Sequence, residues 1–185
     1  DELNLPKANW WYYPETYDHD LLFDRFSKDT SAEFPVIYVS FPAAKDPTWH
    51  ERFPNQSTVE VITVASFDQF SPWLETRWHK RGEEYEALKE ELSGRLLAKL
   101  YELEPQLEPH LDHCELSTPL STRHFCHYEK GEIYGLQHDP GRFAVKGLRP
   151  ATGIKGFYLT GQDIATAGVG GAMVGGLLCA SAALK

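Results

Sequence analysis

The sequence predicts an α+β fold, a mixed or antiparallel sheet with helices packed on one side. Three observations carry that expectation. The two most strand-like stretches, residues 35–41 and 58–65, are joined by a loop without a helix, which suits an antiparallel pairing. One long helical pattern over about 82–103 supplies a single apolar face. A short apolar run near the C-terminus precedes a glycine-rich helical stretch.

Taken in order, Asn9-Trp10-Trp11-Tyr12-Tyr13 reads as an aromatic strand ending at Pro14. Asp18 can cap a short helix to about Ser27, with Leu21, Leu22 and Phe26 turned inward. Residues 29–33 are polar and loop-like. Residues 35–41 are apolar enough for a strand buried on both faces. A long loop follows over 42–57, with three prolines and Trp49. Residues 58–65 are rich in β-branched side chains and form the clearest strand. A short helical segment carries Phe67, Phe70 and Trp73. In the long helix Tyr85, Leu88, Leu92, Leu96, Leu100 and Leu103 recur at three or four residues, and Pro105 and Pro109 follow its end. Residues 113–117 read as a short strand, and Pro119 as the first residue of a helix. Residues 128–150 are loop-rich, 157–160 form a strand, and a helix runs from Gly168.

Composition narrows the function. The chain has 185 residues, 42% hydrophobic and 24% charged, which is ordinary for a globular protein with its own core. A net charge of −9 argues against a nucleic-acid partner, which needs basic patches to neutralise phosphates. Cys114, Cys126 and Cys179 form no disulfide framework, which favours a reducing, cytoplasmic setting. No metal site is expected. His110 and His113 lack a third ligand, and a zinc reading of His124, Cys126 and His127 is the weaker alternative to none. The apolar tail over 164–184 is long enough to be a transmembrane candidate, and Gly171-x-x-x-Gly175 matches a membrane-helix pattern. A helix that is small all round is better explained by burial against protein and a cofactor, leaving peripheral membrane contact as the other setting.

The tail carries the most specific chemistry. Gly156-Phe157-Tyr158-Leu159-Thr160-Gly161-Gln162-Asp163 leads, after four residues, to Gly168-Val169-Gly170-Gly171. Glycines let a bulky group approach the backbone, and a helix start offers N–H groups to a polar ligand. Asp163 offers a carboxylate to a sugar-like hydroxyl. The plain structural alternative is a tight helix contact that needs glycine.

This segment resembles the C-terminal flavin-contacting segment of the phytoene desaturase, carotenoid isomerase and retinol saturase superfamily. In its motifs it looks most like the retinol saturase-like branch. Pro42-Ala43-Ala44-Lys45-Asp46-Pro47-Thr48-Trp49, Arg52-Phe53-Pro54, Ser117-Thr118-Pro119-Leu120, Tyr134-Gly135, His138-Asp139 and Gly141-Arg142 follow in family order. The resemblance implies an FAD-dependent oxidoreductase acting on a conjugated polyene, by saturation, desaturation or isomerisation. It implies a long apolar small-molecule substrate, with NAD(P) as a candidate electron source. It implies that Gly161, Gln162, Asp163, Gly168, Val169, Gly170 and Gly171 contact the cofactor. It also places the loop 131–139 beside the flavin, where Tyr134 and His138 are the candidates for chemistry. For His138 a surface turn is the competing reading.

A G-x-G-x-x-G strand–loop–helix, which holds the pyrophosphate in such enzymes, does not occur in this sequence. The expectation is therefore a C-terminal portion. Residues 1–150 form part of a substrate-side domain, and 151–185 supply the last strand and helix of a Rossmann-type FAD domain. The N-terminal dinucleotide-binding part would then be a missing partner. The rival readings are a non-catalytic lipid-binding or membrane-interaction module and an amine oxidase-like flavoenzyme.

Overall fold

The computed structural model describes residues 3–14 and 16–185. The chain divides into two compact units, Asp1–Phe125 and Cys126–Lys185.

The first unit is built on three short strands, β1 (Trp10–Tyr12), β2 (Ile37–Ser40) and β3 (Glu60–Thr63), in the order β1-β2-β3 with both pairs antiparallel. The α+β expectation is met in this form. Register assigns the faces, because side chains alternate along a strand. Trp10, Val39 and Val61 stand in one row, and Tyr12 and Ile37 in another on the same side. Val39 and Ile37 are fully buried, and Trp10, Tyr12 and Val61 pack against the same core. Trp11, Tyr38 and Ile62 form the row on the opposite face. Trp11 and Ile62 are exposed there, and the Trp11 and Tyr38 rings lie 4.8 Å apart. β2 is thus covered on one face, not two as its apolar run suggested. Antiparallel sheets commonly leave one face to solvent.

Helices close the buried face. In α1 (His19–Lys28) the Asp18 carboxylate accepts the Leu21 N–H at 3.0 Å, satisfying one open donor of the first turn. Leu22 and Phe26, four residues apart, enter the core. Leu21, expected to face inward, lies off that line and is exposed. The long helix α4 (Glu83–Leu103) buries Tyr85, Leu92, Leu96 and Leu100 in one stripe. Its polar side also anchors the chain. Arg95 donates to the carbonyls of Thr30 and Ala32 while its guanidinium lies 4.5 Å from the Phe34 ring centre. A 3-10 turn, Phe67–Trp73, adds the buried Phe70, and α5 (Pro119–Cys126) adds Leu120. Tyr85 Oη and Thr118 Oγ1 meet at 2.7 Å beneath them.

Two stretches differ from expectation. The loop 42–57 contains two single-turn helices, α2 (Pro42–Lys45) and α3 (Trp49–Arg52). Pro42 sits where its missing N–H costs nothing, and Asp46 then turns the chain. Its Oδ1 accepts the Thr48 N–H at 2.9 Å and the Thr48 hydroxyl at 2.8 Å, and Arg52 pairs with its other oxygen. Residues 113–117 form no strand, because no neighbouring backbone pairs with them.

The second unit has little regular structure before its final helix. A 3-10 turn spans Pro140–Ala144 and another Gln162–Ile164, and α6 runs Gly168–Ala183. The strand expected over 157–160 is reduced to one bridge, Ala151 to Tyr158. Beside it the Leu159 N–H donates to the Pro150 carbonyl at 2.8 Å, and the Thr152 hydroxyl to the Phe157 carbonyl at 2.7 Å. A strand needs a ladder partner on at least one edge, and none is present among the described residues. No helix among them is long and apolar enough to cross a membrane.

The core makes a direct prediction. Phe41→Ala, which empties a fully buried ring site, should cost about 3–5 kcal/mol. Tyr17→Ala, at a ring 94% exposed, should stay within about 0.5 kcal/mol. Chemical denaturation followed by tryptophan fluorescence separates the two.

The 42–57 segment makes another. The Thr48 N–H and hydroxyl, and then Arg52, hold the Asp46 carboxyl below its ordinary range. A group depressed on folding stabilises the fold above its unfolded value, and that contribution is lost as pH falls through the folded one. The segment should therefore loosen in acid, at pH values under the usual carboxylate range. Trp49, whose Nε1 donates to the Gln56 carbonyl at 2.8 Å, reports it by fluorescence. Asp46→Asn should remove that acid transition.

Candidate functional site

The site in the second unit starts from a packing fact. Gly171 and Gly175 are four apart, so they lie on one face of α6. A methyl group at Gly171 would overlap the Thr166 carbonyl, and one at Gly175 would overlap the Gly161 backbone. The helix therefore rests directly on the turn 161–166, backbone against backbone. That contact accounts for the Gly-x-x-x-Gly pattern without a membrane partner. Gln162 then reaches forward, and its Oε1 accepts the Gly168 N–H at 3.0 Å at the helix start.

Asp163 ties a distant loop to this turn. Its Oδ1 accepts the Leu136 N–H at 3.1 Å. Gly135 has φ +72°, and a Cβ there would overlap the Asp163 carboxylate. Two constraints thus meet at one glycine: a left-handed backbone and a close approach. Arg142 completes the link. It is buried, and its Nη2 donates to the Asp163 carbonyl at 2.7 Å. Its Nη1 lies 2.7 Å from His138 Nε2. Asp139 sets its direction, because Asp139 Oδ1 accepts the Arg142 N–H at 3.0 Å and opens the turn Pro140–Ala144. Loop 135–142, turn 161–166 and the start of α6 are one connected piece.

Most candidate residues from the sequence fall in this piece. Gly161, Gln162 and Asp163 form the turn, and Gly168, Val169, Gly170 and Gly171 form the first turn of α6. His138 lies in the Arg142 link. Tyr134, beside Gly135, is 63% exposed. Arg149 is exposed. The Asp163 carboxylate, read from sequence as a ligand group, also has a task inside the chain, the Leu136 N–H. Among the described residues no group of three or more His, Cys, Asp or Glu side chains could hold a metal ion. In the first unit, His124 of the alternative zinc reading instead lies flat on the Trp78 ring, centroids 5.2 Å apart and 5° from parallel.

Sequence comparison shows what the chain is similar to. The all-trans-retinol 13,14-reductase of Rattus norvegicus is 38% identical over 192 residues, covering 100% of this chain and 31% of its own length. The proteins of the same name from Danio rerio and Homo sapiens are each 35% identical, over 191 and 192 residues, again across 100% of this chain. By sequence, the chain belongs to the retinol saturase-like branch. It spans about a third of the length of these curated relatives. An inactive all-trans-retinol 13,14-reductase of Danio rerio is 32% identical over 190 residues. No protein-family profile matches the chain, and no solved structure matches it.

Within this retinol saturase-like chain, sequence reasoning did not find the organising role of Arg142. The local signal was present: Asp139-Pro140 opens a tight turn, and the third residue after such an Asp is held by its carboxylate. What Arg142 reaches, 21 residues on at Asp163, follows only from the fold.

The glycines give opposite signs. Gly175→Ala should lower the stability of this unit by about 1–3 kcal/mol, because the added methyl meets rigid backbone. Gly176→Ala, with nothing within 4 Å of the new methyl, should raise it by about 0.5–1 kcal/mol through helix propensity. Hydrogen exchange of the 161–166 amides distinguishes them. Equal effects would remove the backbone contact as an explanation.

Proposed function

We propose that the chain is the C-terminal part of an FAD-dependent oxidoreductase that reduces a carbon–carbon double bond of a retinoid. The observation that carries this reading is the similarity to all-trans-retinol 13,14-reductases over 100% of the chain. The matched residues include the piece of the second unit where Gly135, Gly171 and Gly175, the start of α6 and the Asp163 carboxylate come together.

The donor set fits a flavin. Ala167 supplies no side-chain cap to α6, and Val169 and Gly170 behind it are exposed. Their N–H groups suit an electron-rich ring edge, aided by the positive end of the helix. Gln162 keeps the Gly168 N–H for itself. Asp163 has one oxygen on Leu136, which leaves the other to accept from a hydroxyl. Bound FAD would supply the two-electron chemistry, with NAD(P) as its source of electrons. Saturating a double bond also takes up two protons, and the exposed Tyr134 and His138 stand in the loop joined to this turn.

The first unit contributes apolar surface in this reading. A long apolar molecule needs exposed aromatic surface, and the aromatics of this unit divide by burial. Trp10, Tyr12 and Phe70 belong to the core, whereas Trp11, Tyr13 and Phe125 are exposed and open to a long apolar molecule. A second reading, a catalytically silent relative, has one observation in its favour, the similarity to the inactive reductase of Danio rerio.

The test uses the full-length protein. As purified it should show a flavin absorbance spectrum. With a reductant and all-trans-retinol it should give a product heavier by one H2, read by chromatography and mass spectrometry. Flavin without product in the presence of active electron donors selects the silent relative. No flavin and no product overturns the proposal. Turnover of small amines instead moves the protein to the amine oxidase-like alternative.

A further inference from the structure

Arg142 is a buried cation that pairs with no carboxylate among the described residues. Among the described residues its guanidinium has two recorded contacts, the Asp163 carbonyl and His138 Nε2, both at 2.7 Å. Guanidinium is a donor only. The contact at Nη1 can therefore be a hydrogen bond in one sense alone, with His138 Nε2 accepting. A neutral imidazole that accepts at Nε2 carries its proton at Nδ1. From these contacts we propose that Arg142 is a positioning residue. It locks the exposed His138 ring as the Nδ1–H tautomer, so that His138 meets a ligand only as a donor through Nδ1.

The lock has a geometric basis. Asp139 Oδ1 holds the Arg142 N–H at 3.0 Å, which fixes the base of the side chain. The Asp163 carbonyl, at the turn beneath α6, fixes one arm of the fork. The second arm then has a set direction, and His138 lies on it. A planar guanidinium satisfies both contacts from one rigid group, whereas a lysine ammonium is a single point and spans one of them. The ring is thereby oriented as well as protonated selectively. The ligand group that it takes is an acceptor, such as a hydroxyl or carbonyl oxygen. This rests on the proposed retinoid-acting site only for the identity of the ligand. The lock stands on this unit alone.

The experiment is nitrogen NMR of the full-length protein labelled with 15N-histidine at neutral pH, with His138 assigned by its loss in His138→Gln. The expected spectrum shows a protonated Nδ1 and an unprotonated Nε2 for His138. In Arg142→Gln and Arg142→Lys the proton should move toward Nε2, the form that free histidine side chains favour, while exposed His110 and His113 keep their spectra. An Nε2–H or doubly protonated His138 in the unsubstituted protein overturns the proposal, and that measurement does not depend on any variant folding. A well-folded Arg142→Gln with an unchanged His138 spectrum overturns it too, since Arg142 would then be structural only. The spectrum needs no turnover, so failure of the retinoid reading and failure of the lock are separately visible.

Discussion

Two glycines on α6 have no side chain to hold the helix off the turn before it, and the second unit is organised around that contact. With any larger residue at Gly171 or Gly175, the helix would have to move away from Thr166 and Gly161. The turn 161–166 would then lose the surface that defines it. Asp163 belongs to that turn, and through its carboxylate and carbonyl it places Leu136 and Arg142. One close backbone approach therefore sets the position of groups almost thirty residues upstream. The segment between has few regular elements of its own, so these few hydrogen bonds carry its geometry.

The first unit solves a different problem. Three strands of three or four residues are a minimal sheet, which depends on its apolar face being packed. Their inner face is apolar enough to be covered, and the single stripe of α4 helps to cover it. Arg95 is the polar counterpart of that stripe. It is part of α4 but satisfies the carbonyls of Thr30 and Ala32, which lie in the connection between α1 and β2. Packing and hydrogen bonding thus attach the same helix to the unit by two independent routes.

How much of this was legible in the sequence follows from the range of each interaction. The β-branched run at β3 and the leucine spacing of α4 are local signals, and both elements form where the pattern puts them. Asp18 and Pro119 mark helix starts for equally local reasons. The failures share a cause. Residues 113–117 and 157–160 have strand-like composition, but a strand exists only if another backbone pairs with it. Asp46 shaped a stretch that read as loop, because one-turn helices have no apolar period to detect. In the site, the residues singled out for a cofactor mostly lie together. The role of Arg142 was hidden because it depends on two partners far apart in sequence.

The order of the sheet has a consequence for how the chain comes into being. β1, β2 and β3 are neighbours in space in the same sequence in which they are synthesised. The inner apolar face is complete once Thr63 has emerged, yet Leu92, Leu96 and Leu100, which help to cover it, come later. At about 5–20 residues per second, that leaves an interval of about 2–7 s in which the apolar residues of that face are out of the ribosome and the helix that covers them is not. The short strands limit the hazard, since three or four residues offer little template for pairing with another chain.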